Sequence, residues 1–289
     1  MTRPEPVEPG VLRVLAPNPS PMTAEGTNTY LLGTSEVTVI DPGPADAAHL
    51  RAILAACAGR PVARILVTHA HLDHSPLAGP LSRETGAPVL AYGDAGAGRS
   101  PVMQGLGRIG GGEGVDAGFV PDEMLKDGAM IDTADGPIRA LWTPGHFGNH
   151  MAFLWRDMGF VGDLVMGWAS SLVSPPDGDL TQFMASCRRL RSEPLRVLHS
   201  GHGAPVGDPA ARIDWLIAHR ESREAEILHC LGQKAGDAAD LARRIYVDTP
   251  AALLPAASRN VLAHLIDLET RNLVQVSRPI GIESTFHRA

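Results

Sequence analysis

Cysteine is scarce: the chain has three in 289 residues, Cys57, Cys187 and Cys230, far apart and in no metal-binding spacing. That argues against a disulfide-stapled scaffold and against a thiolate metal site; the three are expected reduced and buried in helices. Long apolar runs are missing too. No uncharged stretch reaches the roughly 20 residues that cross a bilayer, and the first ten residues, rich in proline and glutamate, lack the apolar centre of a secretory signal. A soluble, cytoplasmic protein without a membrane partner is expected. Positive charge is also short. A net charge of −7 speaks against the broad electrostatic attraction on which nucleic-acid binding rests. No Ser-His-Asp arrangement stands out for nucleophilic catalysis.

Histidine is present in quantity, and it is clustered. His69-Ala-His71-Leu-Asp73-His74 packs three imidazoles and a carboxylate into one short segment, directly after the apolar run 63–68. That run reads as a short buried strand. In extended backbone His69, His71 and Asp73 start on one side, and a turn at Asp73 brings His74 round to join them. Four nitrogen and oxygen donors in one loop suit a cation. Zinc is the first expectation, with iron or manganese as alternatives. Further donors stand at other apparent strand ends: His146 after 138–142, Asp163 after the run 151–161, apolar except for Arg156 and Asp157, and His202 after 195–198. Each sits in a Gly-containing turn, where the backbone can bend and approach closely.

With these residues in place the chain resembles the metallo-β-lactamase superfamily. Its His-x-His-x-Asp-His signature stands here as His69, His71, Asp73 and His74, and its later ligands match His146, Asp163 and His202. The resemblance implies an α/β, four-layer αββα sandwich. It also implies two divalent ions: one on His69, His71 and His146, the other on Asp73, His74 and His202, with Asp163 bridging. Asp41, in Val39-Ile-Asp41-Pro-Gly43, would orient a ligand histidine or simply form a turn. β-Lactamases of this fold commonly use a cysteine at the second ion; none lies near Asp163, which disfavours antibiotic hydrolysis. The implied activity is metal-assisted hydrolysis of an ester, thioester or phosphodiester, with a bridging hydroxide as nucleophile and Asp73 orienting it as the catalytic carboxylate. Alternatives are a single-stranded-RNA endoribonuclease and a mono-iron dioxygenase-type redox enzyme on the same scaffold.

The chain divides near residue 207 into a catalytic domain, 1–207, and a C-terminal domain, 208–289. Beyond the division, helices are expected over 208–231, 238–246 and 252–272, then strands over 273–277 and 283–287, a winged-helix-like order. This piece resembles the branch containing the mitochondrial lactamase-like endoribonuclease and its bacterial relatives. Its candidate recognition helix carries only Arg259 and Arg271 against Asp267 and Glu269, a poor phosphate-binding face. A module that packs beside the active site or supports a homodimer is therefore favoured. The substrate is a small molecule or, on the alternative reading, RNA. Gly105-Leu-Gly107-Arg-Ile-Gly110 fits a dinucleotide fingerprint only formally, because it neither follows a strand nor opens a helix. The segment 93–118 reads as a long loop, a lid or plain surface, on which Arg108 would meet a substrate anion or stay solvated. Ser170 and Ser171 are candidates to line the pocket. Trp168 is expected in the core rather than as a platform for substrate, His150 either beside a ligand or the substrate or as a simple hydrogen-bonded histidine, and His199 pointing away from the site.

Overall fold

The computed structural model describes residues 3–106, 109–112, 114–277 and 279–289; Arg108 lies outside them. Two sheets face each other. The first has seven strands in sequence order, β1 (Glu5–Glu8), β2 (Val11–Leu15), β3 (Asn28–Leu32), β4 (Val37–Ile40), β5 (Val62–Leu66), β6 (Val89–Ala91) and β7 (Glu123–Met124). The second runs β12-β11-β10-β9-β8, with β8 (Met130–Ile131), β9 (Ile138–Trp142), β10 (Met151–Trp155), β11 (Met158–Gly162) and β12 (Val197–Ser200). Helices α1 (Ala47–Cys57), α2 (Ala78–Thr85) and α3 (Pro101–Gly105) lie in the first half; α4 (Leu180–Arg191), α5 (Pro209–Gln233), α6 (Ala238–Ile245) and α7 (Leu254–Thr270) follow.

Strand alternation sorts the apolar side chains into layers. On β3, Tyr30 and Leu32 join Phe153, Trp155 and Phe160 between the sheets, whereas Leu31 turns outward to Ile53 of α1 and Leu81 of α2. On the far side, Leu141, Leu154 and Val161 meet Phe183 of α4 and Leu216 of α5. The result is the αββα sandwich. The aromatic residues between the sheets are almost fully buried, worth roughly 2–3 kcal/mol each. Asp46 caps α1 by accepting from the His49 amide at 2.7 Å, and Asp208 with Pro209 starts α5.

The apolar run 151–161 is two strands, not one. Both are buried throughout, so periodicity gives no break, and the chain reverses at Arg156, which has φ of 58°. Past α5 come α6, α7 and a ribbon of β13 (Val274–Val276) and β14 (Phe286–Arg288), the winged-helix order. The first half of α5 packs against the second sheet through Ile213 and Leu216. Its second half enters the C-terminal core through Ile227 and Leu231. Cys57 and Cys187 are buried in α1 and α4, Cys230 is half-buried in α5, and all three are free. Among the described residues no helix is long and apolar enough to cross a membrane.

Candidate metal centre

Four of the candidate donors sit just past the end of a strand. His69 follows β5, His146 follows β9, Asp163 follows β11 and His202 follows β12. The His69–His74 segment is not extended as the alternation argument requires. β5 ends at Leu66, His71 makes only an isolated bridge to Val115, and residues 72–74 form a turn stabilised by the His74 amide donating to the His71 carbonyl at 2.9 Å. The turn, not the pleat, gathers the four side chains.

The seven groups converge. His71 Nδ1 lies 2.9 Å from His69 Nε2 and 3.2 Å from His146 Nε2. Asp73 Oδ2 lies 3.1 Å from His202 Nε2 and 3.3 Å from His74 Nε2. Asp163 stands between the two sets, with Oδ1 3.5 Å from His74 Nε2 and Oδ2 3.3 Å from His202 Nε2 and 3.7 Å from His146 Nε2. His69, His71 and His146 form one group able to hold a cation; Asp73, His74 and His202 form another; His69, His74 and Asp163 form a third between them.

The donors fit a metal on two counts. His74 Nε2 and Asp163 Oδ1 are buried and have no hydrogen-bond partner among the described residues; buried polar atoms rarely go unpaired. The imidazole nitrogens also approach one another at close to the edge of a tetrahedral zinc site, about 3.3 Å for bonds of about 2.0–2.1 Å. Burial first of all lowers the pKa of His69 well below the usual histidine value and that of His71 to about 3, and it lowers His146 as well. Burial thus favours the neutral imidazole at all three, the form that offers a lone pair to a cation. At the other group burial is opposed by charge. Asp73, Asp163 and Asp41 push His74 well above its ordinary value, and Asp163 lifts His202 to about 9. Burial disfavours ionising Asp73 and Asp163, but His74 and His202 outweigh it and hold both carboxyls well below the usual carboxylate range.

An outer ring orients the donors. Asp41 Oδ2 accepts from His74 Nδ1 at 2.9 Å and from Thr68 Oγ1 at 2.7 Å, while Oδ1 accepts from the Thr68 amide. Asp41 also has a φ of 50°, in the left-handed region, but residues 41–43 form no turn, so of the two roles weighed for it the structure places it behind a ligand histidine. Thr68 Oγ1 lies 3.0 Å from His69 Nδ1. The Leu172 carbonyl lies 2.7 Å from His146 Nδ1, and the Gly26 carbonyl 3.2 Å from His202 Nδ1. Asn28 and the Tyr30 hydroxyl donate to the Ser200 carbonyl, bracing the turn that carries His202. Gly201 is required there, because a Cβ on it would stand 2.4 Å from Asp163 Oδ1.

The Leu172 carbonyl is itself clamped. Arg220 of α5 donates to the Ser171 carbonyl and, at 3.1 Å, to Asn260 Oδ1 of α7; the same Oδ1 accepts from the Val173 amide at 3.0 Å. Nothing in the sequence near the donors points to Leu172, Arg220 or Asn260. Ser171 is buried, with its hydroxyl on the Leu164 carbonyl, and Trp168 is 44% exposed against Gly203, not in the core. His150 is wholly buried, bonded to Thr143 Oγ1 at 2.9 Å with its ring 5.2 Å from that of His69, so it cannot reach a substrate. His199 stacks between the sheets on Phe160, away from the site.

A cavity of about 950 Å³ is lined by His71 and His146 of the centre and by Ala239, Ala252, Leu253 and Leu254 of the C-terminal module. Part of the 93–118 loop, Gly110 to Gly112, lines it and is tied down: Arg259 donates to the Ile109 carbonyl at 2.7 Å, and the Gly112 amide to Asp177 at 3.0 Å.

Residues 22–202 match the metallo-beta-lactamase superfamily and residues 238–278 the beta-lactamase associated winged helix domain. A beta-lactamase-like protein 2 homolog of Drosophila melanogaster is 31% identical over 281 residues, covering 93% of this chain and 90% of that protein. An atrochrysone carboxyl ACP thioesterase of Aspergillus fumigatus is 32% identical over 233 residues, covering 78% of this chain and 66% of its own length. The crystal structure of a metallo-beta-lactamase family protein from Thermus thermophilus aligns with a TM-score of 0.78 at 26% identity, over 98% of this chain and 100% of that one.

Proposed function

Since the chain belongs to the metallo-β-lactamase superfamily and carries its associated winged helix domain, we propose that it is a hydrolase of carboxylic esters or thioesters that works with two divalent ions. The observation that carries the metal reading is the convergence of seven imidazole and carboxylate groups, two of them with buried atoms left unpaired. His69, His71 and His146 would hold one ion and Asp73, His74 and His202 the other, with Asp163 serving both; zinc suits the set, and iron or manganese are acceptable to it. Bound there, the ions supply a hydroxide nucleophile at neutral pH and a Lewis acid for the scissile carbonyl.

The chain's own residues set the rest. Asp41 and Thr68 fix the His69 and His74 rings from behind, and the Leu172 and Gly26 carbonyls do the same for His146 and His202. Asp73, with about a quarter of its side chain exposed and held by Thr27 Oγ1 at 3.3 Å, would accept the hydrogen bond that aims the attacking hydroxide. The hydroxide oxygen bonds to the acyl carbon and the C–S or C–O bond breaks. The proton that came in on the hydroxide passes from the new carboxyl group to the leaving thiolate or alkoxide, so a carboxylate and a thiol or alcohol depart. No covalent enzyme intermediate is needed.

The thioesterase relative supports an acyl substrate. RNA is less well supported. Of the arginines on the candidate recognition helix and its end, Arg259 is bonded to the Ile109 carbonyl and Ser174, and Arg271 pairs with Glu224 and Asp267. The test is a panel on metal-reconstituted protein: p-nitrophenyl esters, an acyl thioester, bis(p-nitrophenyl) phosphate, nitrocefin and a short RNA, with metal analysis alongside. The expected outcome is acyl turnover that disappears on chelation and in His71→Ala, with two ions per chain. One iron per chain and no hydrolysis would sink the proposal.

A further inference from the structure

We propose that the C-terminal module is the acyl-binding half of this active site. Its apolar wall, formed by the start of α6 and the approach to α7, seats the acyl group of the substrate, and Met22, Leu253 and Ile282 select which acyl groups are taken. This rests on the hydrolase reading above and names its substrate class.

The cavity lined by His71 and His146 is also lined by Ala239, Ala252, Leu253, Leu254 and Ile282 of the module and by Met22 from the loop after β2. Met22, Leu253 and Ile282 are 46%, 36% and 51% exposed. Single exposed apolar residues are ordinary. Three from separate chain segments lining one cavity, continuous with a polar centre, mark a binding surface. At about 950 Å³ the space lies at the upper end of the roughly 300–1,000 Å³ typical of small-molecule pockets.

The lining also argues against a polynucleotide. Single strands are held by cations along the backbone and aromatic rings under the bases. Apart from the two imidazoles at the centre, no aromatic side chain lines the cavity among the described residues. Of its two arginines, Arg259 is bonded to the Ile109 carbonyl and Ser174, while Arg243 has Asp240 3.9 Å away. Asp177 adds a carboxylate to the wall. An apolar acyl chain needs none of the missing groups. The polar carrier that makes an ester or thioester soluble finds no array of cations here, so it is left to the open mouth.

The experiment uses the full chain. Dansyl-labelled undecanoic acid is titrated into metal-loaded and metal-free protein, and kcat/KM is measured for p-nitrophenyl acetate and decanoate. Leu253→Glu charges the wall and Ala252→Trp fills the space; circular dichroism and thermal unfolding confirm that each variant folds. The probe is expected to bind with or without metal. Both variants are expected to weaken it about tenfold and to lower the decanoate-to-acetate ratio of kcat/KM about tenfold. Probe binding lost in the variants, with no ester turned over by any form, would uphold the wall and reject the hydrolase reading. No binding, equal binding by both variants, or displacement of the probe by a short single-stranded RNA would overturn the proposal.

Discussion

Replacing Asn260 with alanine should weaken a metal site that Asn260 never touches. Its Oδ1 accepts from the Val173 amide at 3.0 Å and from Arg220 at 3.1 Å, and Arg220 also holds the Ser171 carbonyl. Leu172, between those two anchors, presents its carbonyl to His146 Nδ1 at 2.7 Å. In Asn260→Ala the Val173 amide, on a residue with no exposed surface, loses its acceptor, at a cost of about 1–3 kcal/mol. The Leu172 carbonyl is then free to drift and the His146 ring to turn. Losing such an outer partner typically lowers metal affinity by about 10–100-fold. The loss should fall on the ion held by His69, His71 and His146 and spare the other. Calorimetric titration with zinc reads this directly, as one weakened phase of two, beside urea unfolding of the metal-free protein. Asn260→Asp keeps an oxygen acceptor for both donors and should restore the affinity. If the alanine variant binds both ions as tightly as wild type, or if aspartate rescues nothing, Asn260 is only a packing residue.

Two further outcomes are expected. His199 is buried with neither ring nitrogen hydrogen-bonded among the described residues, and burial first of all lowers its pKa from 6.5 to about 4. The neutral form is the folded form, so its stabilising effect is complete above pH 6.5 and is lost as pH falls towards 4. The difference of about 2.5 units corresponds to about 3 kcal/mol. His199→Phe should flatten that part of the stability–pH curve from chemical denaturation; an unchanged curve would show that the group does not titrate on unfolding. Gly201→Ala, whose Cβ would meet Asp163 Oδ1 at 2.4 Å and the His74 ring at 2.7 Å, should lower metal content and hydrolysis by about tenfold or more while the secondary structure persists. Full zinc occupancy by elemental analysis would contradict it.

The polar chemistry is legible in the sequence because it is locally dense. Three imidazoles and a carboxylate lie within one short segment, and His146, Asp163 and His202 each follow a strand and stand beside a glycine. The helical C-terminal order is legible as well, from an apolar stripe and the Asp208-Pro209 cap, whereas the sandwich is legible only through the family resemblance that the donors carry. What orients the rings is not. The Leu172 and Gly26 carbonyls are backbone groups whose role no side chain announces, and Arg220 and Asn260 lie far along the chain from the His146 they steady. Trp168 escapes a local reading because its packing depends on the missing Cβ of Gly203, a long-range fact that hydropathy does not carry. The hairpin at Arg156 is easily missed because strands buried on both faces have no alternation to read, and only the charged pair Arg156-Asp157 marks the turn.

α5 is an unbroken helix of 25 residues, about 37 Å long, rooted at one end in the sandwich and at the other in the winged helix. It behaves as a rigid spar. Hinging the two bodies apart would require melting its middle, so the gape of the cleft is fixed by construction. Admission of bulkier molecules, in this chain or in a redesigned one, must then come from trimming individual side chains or lifting the Gly110–Gly112 strap, never from swinging the far wall aside.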